Sequence, residues 1–130
     1  MIERIVVAVN DSPPALAAAS LAIEMAAAQH ARLHLVTVAE DSRHITVLLD
    51  HVSRLARKAQ LEPETTITDG GYPFEVLLEV AADWRADLIV MGRSDRRRPG
   101  VPYVGTQTEH LLEFTHIPVL VVPDPSLAEP

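Results

Sequence analysis

Apolar residues along this chain come in short continuous runs separated by longer stretches in which they recur at helical spacing. Ile5-Val6-Val7-Ala8-Val9 is such a run, rich in branched residues, and reads as a strand buried on both faces. Ser12 and Pro13 follow. Serine can cap the bare amides of a first helical turn, and proline at the next position forfeits no hydrogen bond, so a helix is expected to start here. Leu16, Ala19, Ile23 and Ala26 carry its apolar face to about Gln29.

Leu33 to Val38 predicts a second strand, and Asp41 or Ser42 a cap for a second helix with Ile45, Leu48, Leu49, Val52, Leu55, Ala56 and Ala59 on one stripe. Arg54, Arg57, Lys58 and Gln60 form its polar side. Thr65 to Thr68 is a more polar strand, expected at a sheet edge. Gly70-Gly71-Tyr72-Pro73 turns the chain into a third helix, with Phe74, Leu77, Leu78 and Ala81 inward and Glu75, Glu79 and Asp83 on a solvated outer row. Asp87 to Met91 is a fourth buried strand, followed by a polar connection from Gly92 to about Gly105. A short helix, Thr106 to Phe114, leads into a fifth strand, Val119 to Val122.

Strict alternation of helices with strands too apolar to have a wet face predicts a single-domain α/β fold, an open five-stranded parallel sheet with helices on both faces, Rossmann-like in build. The domain is expected to span residues 1–123 and a mobile tail residues 124–130. A chain of 130 residues suffices for one core without staples. The absence of cysteine excludes disulfides, thiol nucleophiles and cysteine-held metals. Eighteen acidic against eleven basic residues, a formal net charge of -7, argues against a nucleic-acid partner, whose binding needs clustered cations. The start, Met-Ile-Glu-Arg, lacks the features of a signal peptide, and Ala15 to Ala28 is too alanine-rich to span a bilayer, so a cytoplasmic protein with no membrane partner is expected.

In open parallel sheets ligands bind beyond the carboxyl ends of the strands, so two loops matter, Val9 to Ser12 and Met91 to Thr108. The second holds Gly92, Gly100 and Gly105, three of the five glycines. Gly105-Thr106-Gln107-Thr108 opens a helix, where bare amides and hydroxyls suit an anion. A tight turn and a helix cap explain the same residues without a ligand. Arg93, Arg96, Arg97 and Arg98 fall within six positions of that loop and are candidate phosphate contacts, since a guanidinium fork matches phosphate oxygens. A solvated arginine run, or one paired with an acidic helix of a partner chain, is the other reading. His30, His34, His44, His51, His110 and His116 show no ligand spacing, and no metal site is expected. They are expected mostly at the surface or its boundary, with Trp84 and Tyr72 at the core edge. No nucleophile has a placed base, so no catalytic residue is assigned.

Ile5 to Ser12, Gly71-Tyr72-Pro73, Ala86 to Gly92, and Gly105-Thr106 with Ile117-Pro118-Val119-Leu120-Val121-Val122 resemble, in order and at similar spacing, the universal stress protein family. The nucleotide-binding branch of that family has a glycine, two residues, a glycine, nine residues, then glycine and serine or threonine. Here Gly92 and Gly105-Thr106 match the ends and Asp95 replaces the middle glycine. The resemblance implies an adenine nucleotide, ATP or else AMP or ADP, with Mg2+ on its phosphates. Base and ribose would lie against Val9, Asn10, Val38 and Met91 and phosphates over Gly105 to Thr108, with Ala8, Gly92, Ser94 and Asp95 also among the nucleotide-binding positions. It also implies a homodimer through Val119, Leu120, Val121 and Val122, which would cover an apolar edge strand.

Two positions depart from the family. Asn10 stands where aspartate is usual and keeps an acceptor while adding a donor. Asp95, at ~4 Å from a phosphate charge, would cost about 1 kcal/mol in water and about 4 kcal/mol at an effective dielectric of 20. The function expected is that of an ATP-binding regulatory module of the stress response, not a fast catalyst. A nucleotide-free dimeric interaction module and, third, a slow phosphohydrolase are the alternatives.

Overall fold

In a computed structural model, which describes residues 2–39, 42–70, 72–93 and 106–125, the chain alternates β1 (Arg4–Ala8), α1 (Pro13–Gln29), β2 (Arg32–Ala39), α2 (Ser42–Lys58), β3 (Glu64–Asp69), α3 (Pro73–Asp83), β4 (Leu88–Gly92), α4 (Thr106–Phe114) and β5 (Val119–Val122). All strand pairs are parallel, in the order β3-β2-β1-β4-β5. The expected fold class is therefore the observed one. β1 lies at the centre, paired to β2 with Val7 opposite Leu35 and to β4 with Val7 opposite Val90.

Helices cover both faces, and each face has its own core. Ile5, Val7, Leu33, Leu35 and Val90 point to the side of α1 and α2, where Ala18, Ala22, Ala26, Leu49 and Val52 meet them. Val6, Val36, Ile89 and Met91 point the other way, to Leu77 and Ala81 of α3 and Leu111 of α4. The period-2 alternation of a strand thus feeds apolar residues to both sides, which is why these segments read as unbroken apolar runs. The apolar stripe on α2 is borne out by buried Leu49, Val52 and Ala56, and the outer row Glu75, Glu79 and Asp83 is exposed. β3 is at a sheet edge, as its polarity predicts.

β4 begins at Leu88, one residue after the expected Asp87. The Asp87 carboxylate instead accepts from the backbone N–H groups of Glu3 and Arg4 at 2.8 and 2.9 Å, tying down the start of β1. Tyr72, expected at the core edge, is 64% exposed: it sits at the N-cap of α3, outside the helix face that packs. The expected tail lies outside the described residues beyond Pro125, as does Asp41 as a cap for α2.

The first three helices end alike, with a residue other than glycine in the left-handed region: His30 at φ 54°, Gln60 at 68° and Arg85 at 58°. In each case the next N–H reaches back to a carbonyl five residues earlier, Ala31 to Ala26, Leu61 to Ala56 and Ala86 to Ala81. A side chain at such a position is strained where glycine is not. Gln60→Gly should therefore raise the unfolding free energy by about 0.5 kcal/mol and Gln60→Val should lower it. Equal urea midpoints for the two variants would remove the strain argument.

Candidate functional site

The strand order reverses between β1 and β4. β2 and β3 extend the sheet to one side of β1, β4 and β5 to the other, so connections leave in opposite directions and open a crevice above the carboxyl ends of β1 and β4. Val9 and Asn10 follow β1, Val38 is the penultimate residue of β2, and Met91 and Gly92 end β4. The structure thus brings Ala8, Val9, Asn10, Val38, Met91 and Gly92 to the same end of three adjacent strands. Val9 and Met91 are buried, Ala8, Val38 and Gly92 half-buried, and Asn10 is exposed. A 2.8 Å bond from the Val9 N–H to the Val36 carbonyl carries the β1–β2 pairing one residue past β1.

Among the helices that start at this end of the sheet, α1 follows β1 and α4 follows β4, the two strands that flank the crevice, and their first turns differ. At α1 the Asn10 Oδ1 accepts from the Ser12 N–H at 2.9 Å, and the Ser12 Oγ accepts from the Ala15 N–H at 3.3 Å. Pro13 and Pro14 fill the first helical positions and have no N–H. The start of α1 is thereby closed as an anion site, its orphan donors capped or absent. α4, starting at Thr106, carries no proline in its first turn, and Thr108 in that turn is fully buried.

Gly92 is held closer to α1 than any side chain permits. A Cβ there would meet the Ala15 nitrogen and the Pro14 carbonyl carbon at 2.5 Å and the Pro14 Cβ at 2.8 Å. Next in sequence, the Arg93 N–H donates to the Val122 carbonyl at 2.7 Å, and its side-chain Nε is buried with no partner among the described residues. Ser94, Asp95, Arg96, Arg97, Arg98 and Gly105 lie outside the described residues. β5 is the outermost strand beside β4, with Val119, Leu120, Val121 and Val122 all half-buried.

α3 and α4 share an aromatic contact that sequence reasoning did not anticipate. Phe74 lies 4.9 Å from His110 and 6.4 Å from Phe114, ring centre to ring centre. This contact joins the start of α3 to the far end of α4. No local spacing signals it, because the rings are 36 and 40 residues apart in sequence.

This sheet order, with a glycine-tight β4–α1 contact and a switch point between β1 and β4, defines a Rossmann-like α/β fold. The chain belongs to the universal stress protein family, whose family model matches residues 1–50 and 43–123. No curated protein sequence matches it. Among solved structures, a universal stress protein in complex with cAMP is 24% identical, with a TM-score of 0.77 over 95% of this chain and 98% of that one. The universal stress protein from Archaeoglobus fulgidus in complex with dAMP is 22% identical, with a TM-score of 0.76 over 94% and 99%. A protein of the universal stress protein family from Burkholderia pseudomallei is 26% identical, with a TM-score of 0.64 over 94% and 96%.

Proposed function

We propose that this universal stress protein binds an adenine nucleotide, ATP in the first place, in the crevice between β1 and β4, and acts as a regulatory module of the stress response. The observation that carries the reading is the contrast between the two helix starts. Capping and prolines leave the β1–α1 turn without spare helical amides, so it suits base and ribose. The start of α4 follows β4 beside the crevice and carries no proline in its first turn, a helix start that suits a phosphate. The unpartnered Nε of Arg93, at the end of β4, fits a neighbouring anion. Two fold relatives carrying cAMP and dAMP support the adenine class.

Asn10 fits this assignment despite replacing aspartate. Its oxygen serves the turn by accepting from Ser12, and its Nδ2 remains a donor that aspartate lacks. Mg2+ would be held through the nucleotide's own phosphates, and the protein acts as a homodimer through β5. Purified protein, denatured, should release adenine nucleotide, and the emptied protein should bind ATP in calorimetry. No released nucleotide together with no binding at millimolar ATP would sink the proposal in favour of a nucleotide-free interaction module.

Asp95 and the arginines give the sharper arms. Removing a carboxylate that repels phosphate should tighten ATP binding about five-fold or more in Asp95→Gly, the equivalent of about 1 kcal/mol. Unchanged affinity would mean that Asp95 does not face the phosphates. Replacing Arg96, Arg97 and Arg98 together by alanine should weaken ATP at least ten-fold while sparing adenosine. Equal loss for both ligands would remove the arginines from the phosphate site.

A further inference from the structure

At the amino ends of the strands, opposite the crevice, lies a polar cluster that nucleotide binding does not use. His34 of β2 is the one histidine among the described residues that is buried, the others lying at the surface or its boundary as expected for most of them. Its Nε2 lies 2.7 Å from the Thr66 hydroxyl of β3. Its ring stands edge-on to the indole of Trp84, just past α3, at 4.9 Å and 87°. Its Nδ1 is buried and has no partner among the described residues. A proton on Nε2 satisfies Thr66 and leaves only a lone pair at Nδ1, which is cheaper to bury unpaired than an N–H.

The charges around this ring are already committed. From β3, the Glu64 Oε2 accepts from the Arg32 guanidinium of β2 at 2.8 Å and from the Trp84 Nε1 at 2.9 Å. From β1, Arg4 donates to the Trp84 carbonyl at 3.2 Å, and its guanidinium lies 6.0 Å from the indole centre. Arg32 lies 5.6 Å from the same indole. β3 is an edge strand, hydrogen-bonded to β2 alone, so the bridges through His34, Arg32 and Trp84 are its side-chain ties to the rest of the sheet at this end.

We propose that His34, Thr66 and Trp84 form an acid-released latch on β3: protonating the imidazole puts an N–H at Nδ1 where nothing accepts it, the ring leaves its slot, and the amino half of β3 comes away from β2. Burial holds the imidazole below its ordinary range, against Glu64, which raises it, and with Arg32, which lowers it. The sign follows from linkage. Once β3 opens, His34 titrates near 6.5, above its value in the closed fold, so the open form takes up the proton first. The latch is therefore intact above about pH 6.5 and weakens as pH falls from there toward the lower closed-state value, below which nothing more is lost.

Trp84 is the single tryptophan of the chain and reports the latch directly. The test follows, on the full chain between pH 7.5 and 5, the indole emission, amide protection of residues 64–66 of β3 against residues 5–7 of β1, and the His34 ring by NMR, with far-UV circular dichroism to verify the fold. Protection of the β3 amides should fall over this range while β1 is unchanged. The loss should be confined to the interval between about pH 6.5 and a lower His34 midpoint read by NMR, and His34→Gln should abolish both it and the emission change. β3 protection that does not change, a parallel loss in β1, or a His34 midpoint at or above 6.5 overturns the latch. The NMR comparison needs no variant, so failure of His34→Gln to fold leaves the outcome decidable.

Discussion

Leu111→Ala lowers the unfolding free energy by about 2–5 kcal/mol, measured by urea denaturation. Leu111 is fully buried and packs with Leu77, Ala81, Ile89 and Met91, so it joins α4 at once to α3 and to the sheet. α4 has 9 residues, too few to be stable in isolation, and depends on that contact for its existence. The cavity left by three missing carbons therefore acts on the whole helix, including the first turn at Thr106–Thr108. ATP affinity is expected to fall with stability, because the amides proposed to hold phosphate are no longer aligned. The neighbouring Leu112 is 45% exposed, and Leu112→Ala should change stability by no more than about 0.5 kcal/mol. Similar costs for the two variants would mean that α4 does not pack as described.

Gly92→Ala has the second large effect, about 1–3 kcal/mol of destabilisation, from overpacking. The added methyl meets backbone atoms of α1, the Ala15 nitrogen and the Pro14 carbonyl carbon, both at 2.5 Å. Backbone cannot swing aside as a flexible side chain does, so the start of α1 must lift from β4. The Asn10–Ser12 turn, which is hydrogen-bonded to that start, must move with it. This gives Gly92 a role separate from nucleotide. If the missing side chain only made room for a phosphate, the alanine variant would keep the stability of the nucleotide-free protein within about 0.5 kcal/mol and lose affinity alone. Thermal unfolding of stripped protein, with and without ATP, separates the two.

How legible the molecule was depends on the range of the interactions concerned. Ile5 to Val9, the helix from Ser12 to Gln29 and the stripe on α2 were plain in the sequence because each depends on neighbours two, three or four positions away. The cap at Ser12 was read from a serine followed by proline, and the structure puts the Ser12 oxygen on the Ala15 amide. Asp87 was misread as a strand residue because its partners, the amides of Glu3 and Arg4, are more than eighty positions away. The contact between His34 and Trp84 was not legible for the same reason, although Trp84 is half-buried, in keeping with its expected place at the core edge. Their partners lie on β1, β2 and β3, and nothing in the local spacing brings them together.

The sequence by itself determined the alternation of elements, the parallel sheet they must build, the polar edge at β3 and, through segments matching it from the first strand to the last, the family. Tertiary structure alone decided that β1 lies between β2 and β4, and everything that follows from it. Gly92 meets α1, Asp87 ties down the start of β1, and a buried histidine joins β2 to β3. The physical reason is that periodicity records only which face of a segment must leave water. Which segment then covers that face is settled by how all five strands and four helices pack together, where residues eighty positions apart become neighbours at 3 Å.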